Sequence, residues 1–383
     1  MTTTTTEPNQ PQTCDGRGFL DGEPCPWTGP DDRWPGDLAR CVFHSEDPNK
    51  PHDRIRAEWD RMAADRAFDC RGWVIPFDVE LTGEITLATF VGATFSGNAL
   101  FAGVTFRGNA GFQRASFARD TTFDGTQFGA TASFRECKLN LLRFHRCPMW
   151  GVALHNALGI AEAEYDACEW DERPGRVLIA EERDAFGTRP GLPDGVAPHS
   201  PAAFQRAERV YREVRRSLET RKQYREANLF SYRELEMRRL ALGAVGTGPL
   251  GWFRQRGLSL EALYKGVSDY GEDWKRPLVV LGFSLVLWPF LFALGGIRID
   301  GDWIELPLPD LSPDLGQLWG WLATSAESYF SLLGLTVRSA ALMDTPDKVD
   351  LLTGAQAFQV ALRLLSPFLA FQTALGIRRR FRR

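Results

Sequence analysis

The sequence has no excess of charge of one sign, because 45 Lys and Arg oppose 49 Asp and Glu and leave a net charge of −4. A chain-wide basic surface is therefore absent, and we expect no nucleic-acid partner. Histidine is scarce as well, with five residues in 383 that stand mostly apart. No Gly-rich phosphate loop and no catalytic Ser/His/Asp or Cys/His constellation stands out in the sequence, so it predicts that the protein is not an enzyme.

Cysteine is sparse and odd in number, with seven residues in a long chain. That count argues against a disulfide scaffold and is typical of a reducing compartment. Residues 1–13 are rich in Thr, Pro and Gln, and they lack the basic and apolar regions of a secretory signal. We expect them to form a disordered tail.

Three of the cysteines fall close together in residues 14–55, a segment with little apolar periodicity. The candidate ligands are Cys14, Cys25, Cys41 and His44, spaced C-x10-C-x15-C-x2-H. Zn²⁺ prefers four N/S ligands in a tetrahedral arrangement, and a Cys-x2-His turn supplies two of them. Because a segment without a core needs a cross-link to fold, we predict a structural zinc site here, with His52 as a weaker substitute ligand. The alternative is a disordered tail with incidental thiols.

Phenylalanine is abundant, with 26 residues against 7 tyrosines, and within 77–170 it recurs at steps of five and six. The centres are Phe90, Phe95, Phe101, Phe106, Phe112, Phe117, Phe123, Phe128, Phe134 and Phe144, with Leu139 filling the gap. Neither a helix nor an alternating strand brings such steps to one face. A solenoid with a bend in each unit does, so the pattern predicts inward-facing rings.

The consecutive copies TFSGNALFAGV, TFRGNAGFQRA and SFARDTTFDGT resemble the pentapeptide-repeat family in its Phe-centred form. This resemblance implies a right-handed, four-sided β-helix with about four units per coil and about four coils over 77–170. A helical cap is expected at 56–76, with Trp59, Met62 and Ala63 on one side. A Pro- and Gly-rich linker is expected at 171–200, around a short strand candidate at 177–179. Acidic and basic residues nearly balance between 77 and 150, which argues against the DNA mimicry of some family members.

Residues 201–276 form a charged helical region, in which apolar residues at helical spacing predict two helices between 201 and 240. Eleven basic residues exceed six acidic ones in that stretch. Such an excess is typical of a solvated face and also suits anionic lipid headgroups. The run Tyr224-Arg225-Glu226-Ala227 is similar to the helical pair that follows the β-helix in membrane-anchored pentapeptide proteins.

Residues 277–383 read as a membrane module with spans at about 278–297 and 351–377, the second containing Arg363. Between them, 315–337 is apolar but carries Glu327, which favours a re-entrant, pore-helix-like segment or an interfacial helix over a full crossing. The 298–350 loop is strongly acidic, whereas the flanks outside the spans are basic. The positive-inside rule therefore predicts that both termini are cytoplasmic.

The order of span, short helix and span resembles the two-helix ion-channel module found after pentapeptide repeats in some prokaryotic proteins. It implies a channel-like homo-oligomer in a prokaryotic cell membrane, in contact with lipid, whose cytoplasmic β-helix senses an unknown protein partner or organises the assembly. A potassium filter needs a Thr-Val-Gly-Tyr-Gly loop, but the matching stretch reads Thr336-Val337-Arg338-Ser339-Ala340. We take Thr336, Arg338 and Arg363 as pore candidates without potassium selectivity. The alternative is a non-conducting scaffold, in which Arg363 pairs with Glu327 or snorkels.

Overall fold

The structure is a computed structural model with two compact units, Met1–Gln255 and Arg256–Arg383, and each is described by itself. It describes residues 14, 25–27, 32, 34–37, 40–173, 176–188, 196–243, 260–270, 273–299, 301–303, 329–344, 346 and 349–381. The predicted tail 1–13 and residues 315–328 of the predicted pore helix, Glu327 included, lie outside these ranges.

The first unit is built on a β-solenoid of short parallel strands. They are β1 Ala67–Asp69, β2 Val74–Ile75, β3 Val79–Leu81, β4 Glu84–Ile85, β5 Leu87–Thr89, β6 Thr94–Phe95, β7 Ala99–Ala102, β8 Thr105–Phe106, β9 Ala110–Gly111, β10 Ser116–Phe117, β11 Thr121–Asp124, β12 Gln127–Phe128, β13 Ala132–Ser133, β14 Leu142–His145, β15 Val152–Ala153 and β16 Glu164–Asp166. They form four sheets, ordered β1-β5-β9-β13-β15, β2-β6-β10, β3-β7-β11-β14-β16 and β4-β8-β12.

The predicted core of the solenoid is confirmed, since all the repeat centres from Phe90 to Phe144 are buried. Rings of successive coils stack, with centroids 4.8 Å apart for Phe112 and Phe134 and 4.6 Å apart for Phe101 and Phe123. The stacked rings stand two eleven-residue periods apart, so that each coil holds four units. Ring stacking adds to the burial of these large apolar groups.

The solenoid has about five turns rather than four, because it begins at β1 within the segment predicted as a helical cap. In this first coil aliphatic residues replace the signature phenylalanines, so that Ile75 aligns with Phe95 and Leu81 with Phe101. The preceding helix, α1, spans His52–Asp65 and buries Ile55, Glu58, Trp59 and Met62. Ala63, which we expected on the same side, is exposed.

Corners of the solenoid use left-handed backbone. Gly103 (φ 63°) and Gly125 (φ 61°) occupy one corner of successive coils, where positive φ is free of strain for glycine. Arg146 (φ 52°) takes the same corner in the next coil. Glycine is therefore favoured at this corner but not required.

The linker at 171–200 contains a strand that overlaps the predicted candidate at 177–179, together with further regular structure. Strands β17 Asp171–Arg173 and β18 Arg176–Leu178 pair antiparallel, and α2 Ala180–Ala185 follows. Helices α3 Pro201–Thr220 and α4 Tyr224–Gly243 come next, as their apolar spacing predicts. The Ser200 hydroxyl accepts from the Ala203 N–H at 3.2 Å, and this N-cap with Pro201 behind it sets the start of α3.

The second unit contains α5 Leu260–Ser268, α6 Lys275–Gly295 and α7 Thr353–Phe381, with a sheet of β19 Ile297–Ile299, β20 Asp302–Trp303 and β21 Val349–Leu351. Both α6 and α7 are long and apolar enough to cross a membrane. Only 22% and 33% of their most apolar windows are buried within the structure. A core helix of a soluble protein would bury most of its residues, so these helices are candidate membrane spans.

Residues 329–340 form a helix, here called the short helix, which extends three residues past the predicted end at 337. It packs with α6 and α7 around a small apolar core made of Phe292, Ile297, Leu332, Leu335, Ala355 and Leu362. The Tyr329 hydroxyl donates to the Val286 carbonyl of α6 at 3.2 Å. Helix, short helix and helix therefore form one packed module.

Candidate functional site

The Cys-x2-His turn brings two of the predicted metal ligands together. The backbone N–H groups of His44 and Ser45 both donate to the Cys41 carbonyl, at 3.1 and 2.9 Å. This tight turn points the side chains of Cys41 and His44 to one side, with Cys41 Sγ 3.1 Å from His44 Nδ1.

The other two predicted ligands complete the group. Cys14 Sγ and Cys25 Sγ lie 3.3 and 3.5 Å from His44 Nδ1, and Cys25 Sγ lies 3.9 Å from Cys41 Sγ. All four ligand atoms are within 4.8 Å of one another, and no cysteine of the described residues is in a disulfide. Zn–S bonds near 2.3 Å and Zn–N bonds near 2.1 Å give tetrahedral edges of about 3.5–3.8 Å. The four residues therefore fit a tetrahedral metal ion.

A backbone contact of His44 fixes which ring nitrogen faces the group. His44 Nε2 lies 3.0 Å from the Arg71 carbonyl, to which it donates as N–H, and Nδ1 is left as the ligand atom. This carbonyl–histidine arrangement is the usual outer-shell support of a metal-bound imidazole.

Protonation in the cluster indicates the same chemistry. Hydrogen bonds from Cys25, Cys41 and His44 lower the pKa of the Cys14 thiol. Burial lowers the pKa of His44, but hydrogen bonds to Cys14 and Cys25 outweigh it and raise that pKa to about 9. The Cys14 thiolate and the His44 imidazolium thus carry opposite charges and are joined by hydrogen bonds. A divalent cation would take the place of the protons in these bonds.

Lys50, which the sequence analysis missed, is buried beside the cluster. Its Nζ donates to the carbonyls of Ser45 and Val74, at 2.8 and 2.7 Å. Burial lowers the pKa of Lys50 to about 8, so the ammonium remains charged at pH 7. Three thiolates and a divalent cation carry one net negative charge, which Lys50 complements. A single lysine in a polar segment carries no distinguishing sequence signal.

The cluster is joined to the solenoid through an aromatic group, also missed from the sequence. Phe43 lies 4.4 Å from both Trp27 and Trp73 between ring centroids. The Phe43 carbonyl accepts from the Val74 N–H of β2 at 2.7 Å. The metal-ligand segment is therefore a cap on the first coil. His52, the substitute ligand, is exposed at the start of α1 and does not belong to the four-residue group.

The three pore candidates do not form a ring of polar groups within this chain. Thr336 is buried and its hydroxyl donates to Leu332 O of its own helix at 2.8 Å. Arg338 is exposed and donates to Asp344 O at 3.4 Å, whereas Arg363 donates to Met343 O at 2.7 Å. The stretch 336–340 is helical, so it presents no filter loop. The expected pairing of Arg363 with Glu327 lies outside the described residues.

Comparison with known families identifies the solenoid. Residues 90–138 match the family model described as pentapeptide repeats, in 9 copies. No curated protein and no solved structure matches the chain significantly. The repeat region is thus a pentapeptide-repeat β-helix, which confirms the resemblance drawn from its phenylalanine spacing. The match does not extend to the metal-ligand segment or to the helices.

Proposed function

We propose that this chain is an integral membrane protein that displays a zinc-capped β-helix on the cytoplasmic side. The apolar helices α6 and α7 would supply two spans, and the acidic loop between them with its basic flanks supports a cytoplasmic position for both termini. The basic excess of 201–240 suits contact with anionic lipid headgroups. The β-helix is a structural and interaction fold, so it would recruit a cytoplasmic protein rather than catalyse a reaction.

Zinc is the metal that the ligand set favours. Three thiolates and one imidazole in tetrahedral array select Zn²⁺ over the harder cations that prefer oxygen ligands. Four protein ligands leave no open position, so the ion would be structural. This part of the proposal rests on the distances among Cys14, Cys25, Cys41 and His44.

We further propose that the membrane module assembles into a channel-like homo-oligomer without potassium selectivity. The observation that carries this is the short helix packed between α6 and α7, because a helix between two spans is the arrangement of pore-forming modules. Two spans cannot enclose a pore alone, so several copies are needed. The helical backbone at 336–340 supports the absence of a potassium filter.

A non-conducting scaffold is the second candidate, and one observation favours it. The Thr336 hydroxyl and Arg363 Nη2 hydrogen-bond within the module rather than remaining open for an ion. In this function the spans only tether the β-helix, which binds its protein partner at the membrane.

Purified full-length protein in liposomes tests both candidates. Oligomeric state is measured first in detergent by light scattering, and ion flux is then followed with K⁺-, Na⁺- and Cl⁻-loaded vesicles. An oligomer that passes ions with no preference for K⁺ supports the channel. A monomer, or an oligomer without flux above protein-free vesicles, supports the scaffold. Flux selective for K⁺ contradicts both.

A further inference from the structure

At the carboxyl end of the short helix, the following turn closes three of the last four carbonyls, since the N–H groups of Ala341, Met343 and Leu342 donate to Val337 O, Arg338 O and Ser339 O. Ala340 O and the turn carbonyl of Met343 accept from side chains instead. The last carbonyls of any helix lack intrahelical partners and carry a partial negative charge. Here the chain turns at residues 341–344, where Leu342 has a φ of 60°. In an apolar environment Ala340 O and Met343 O, which the turn does not close, need donors from elsewhere in the module.

One face of α7 supplies them. Gln359, Arg363 and Ser366 are spaced by four and three residues, so they lie on the same side of the helix. Ser366 Oγ donates to Ala340 O at 2.7 Å, and Arg363 Nη2 donates to Met343 O at 2.7 Å. Gln359 Nε2 donates to Ser339 Oγ at 3.3 Å.

The position of these residues in α7 makes the contact unusual. Arg363 lies about 15 Å along the helix from Thr353, at 1.5 Å per residue. The hydrocarbon core of a bilayer is about 30 Å thick, which places the guanidinium near its centre if α7 spans it. An ionised side chain there is retained for a partner, and its partner in this structure is the Met343 carbonyl, in the turn that follows the negative end of the short helix.

We propose that Gln359, Arg363 and Ser366 form a dock for the carboxyl end of the short helix, with Arg363 as the fixed counter-charge of that end. Arg338 adds a weaker contact from the exposed side, at 3.4 Å from Asp344 O. In a cation-selective pore a mobile ion would neutralise such a helix end. Here a tethered guanidinium does so, and Arg363 is therefore a positioning residue rather than an ion ligand. The membrane depth rests on the proposed function, whereas the dock itself rests on the packing of the module.

A buried reporter measures whether the short helix stays docked. Thr336 is fully buried, and its hydroxyl bonds only within its own helix, so Thr336→Cys is a conservative probe. The full-length protein with this change is treated with a water-soluble maleimide, and labelling at position 336 is followed by peptide mass spectrometry. Site-resolved detection separates this thiol from the seven native cysteines.

The reporter is combined with Arg363→Met, Arg363→Lys and Arg338→Gln. Loss of a charge-assisted hydrogen bond should raise the labelling rate about ten- to hundredfold in Arg363→Met, because the helix end undocks more often. Arg363→Lys keeps the charge and one donor and should restore most of the protection. Arg338→Gln, the matched control at the exposed carbonyl, should change the rate less than threefold.

Two results would overturn the dock. In the first, Thr336→Cys, Arg363→Met is labelled no faster than Thr336→Cys alone. In the second, position 336 is already labelled rapidly in Thr336→Cys alone. Carbonate extraction of membranes from the same cells tests the proposed function separately. Release of the protein by carbonate would contradict the proposal that α7 spans the membrane. The dock would still be supported if the labelling rates of the variants follow the expected order. Retention with unchanged labelling removes the dock alone.

Discussion

The two ends of the β-solenoid show the same exposed hydrogen-bonding groups and close them in different ways. Inside the second sheet, the Thr94 N–H donates to Trp73 O in the preceding coil. At the amino end no preceding coil exists, and the Val74 N–H donates to Phe43 O at 2.7 Å instead. Lys50 Nζ donates to Val74 O at 2.7 Å, as a backbone N–H would. Main chain and an ammonium group thus replace the missing coil.

At the carboxyl end a carboxylate plays the complementary part. Within the first sheet, the Phe134 N–H donates to Ala153 O of the next coil. One coil later the Leu154 N–H has no such carbonyl, and it donates to Glu181 Oε1 at 2.5 Å. The His155 N–H donates to the same oxygen at 2.9 Å. An α2 side chain therefore stands in for the next coil, so that neither of these two sheet edges is left open to a further strand.

The two caps differ in how they are held in place. The carboxyl cap uses two 20-residue helices, and α3 alone buries eight residues, among them Val210, Tyr211 and Val214. The amino cap contributes few apolar residues before α1, chiefly Cys25, Cys41, Val42 and Phe43. A small cap cannot supply enough burial to hold itself, whereas a helical pair can. This difference accounts for the position of the candidate metal-ligand group, which lies at the amino end among the described residues.

Metal removal should have the largest effect, and it should be confined to the amino end. In Cys41→Ser the four-ligand group is incomplete, and apparent zinc binding free energies of about 10–16 kcal/mol in small zinc domains show how much such a cap depends on its ion. We expect loss of about one zinc per chain by elemental analysis and rapid proteolysis between residues 14 and 55. Cys168→Ser is the control, since its thiol bonds Phe144 O away from the cluster. Equal metal content in both variants would contradict the metal centre.

The next largest effect is expected at the carboxyl end, where Arg233 pairs with Glu182 in a buried site. Tyr211 also donates to Glu182. Arg233→Met leaves a buried carboxylate uncompensated and should cost about 3–5 kcal/mol in the free energy of unfolding. The double variant Glu182→Leu, Arg233→Met removes both charges and should cost less than the single one.

Chemical denaturation measures the free energy of unfolding of the single and the double variant. The zinc content of each variant shows whether the amino end is affected as well. If the two ends of the solenoid are independent, Arg233→Met retains its zinc, whereas its carboxyl-terminal helices unfold at a lower denaturant concentration. If the double variant is less stable than Arg233→Met, the Glu182–Arg233 pair stabilises the folded protein by more than the mutual compensation of its two charges.

The sequence was sufficient for features that repeat or cluster locally. Phenylalanine spacing predicted the inward rings, and Cys-x2-His predicted the tight turn, because period and local spacing are direct consequences of the backbone geometry. The start of the first coil, β1 and β2, was missed since Ile75 stands where the next coil has Phe95, whereas Leu81 already lies inside the predicted repeat region. The core of the solenoid accepts such an exchange of one apolar side chain for another. A prediction based on the spacing of phenylalanine does not detect it.

The cap contacts could not be predicted because they join residues distant in sequence. Lys50 meets Val74, and Glu181 meets Leu154, across more than twenty residues in each case. Nothing in the local sequence distinguishes these ions from solvated ones, since their role depends on which coil is the last. For the same reason the segment 171–200 read as a linker, although it contains the α2 helix that carries Glu181.

Lys50 provides a smaller and sharper test of the amino end. Lys50→Met keeps the aliphatic stem but leaves the carbonyls of Ser45 and Val74 without this donor, and such a loss typically costs about 1–3 kcal/mol. Lys50→Arg retains a cation with donors and should recover part of that loss. We expect Lys50→Met to lower the melting temperature and to weaken zinc retention against a chelator. Unchanged retention would mean that the lysine serves the solenoid edge alone.

The smallest effect is a pH dependence that should appear at the carboxyl end. Burial by itself would raise the pKa of Glu181, but its interaction with His155 and the hydrogen bond from the Leu154 N–H hold that pKa below its ordinary value. A depressed pKa in the folded protein stabilises it above the ordinary glutamate pKa of about 4.3, and this contribution is lost as pH falls through the folded value. Hydrogen exchange of the Leu154 and His155 amides, corrected for intrinsic rates, should therefore show protection at pH 7 that declines below about pH 4. Glu181→Gln keeps an acceptor oxygen that does not titrate, so its protection should be weaker at pH 7 and should lack this decline. A decline of the same size in Glu181→Gln would assign the acid sensitivity to other carboxylates. It would contradict the interpretation that the Glu181 carboxylate replaces the acceptor of a further coil.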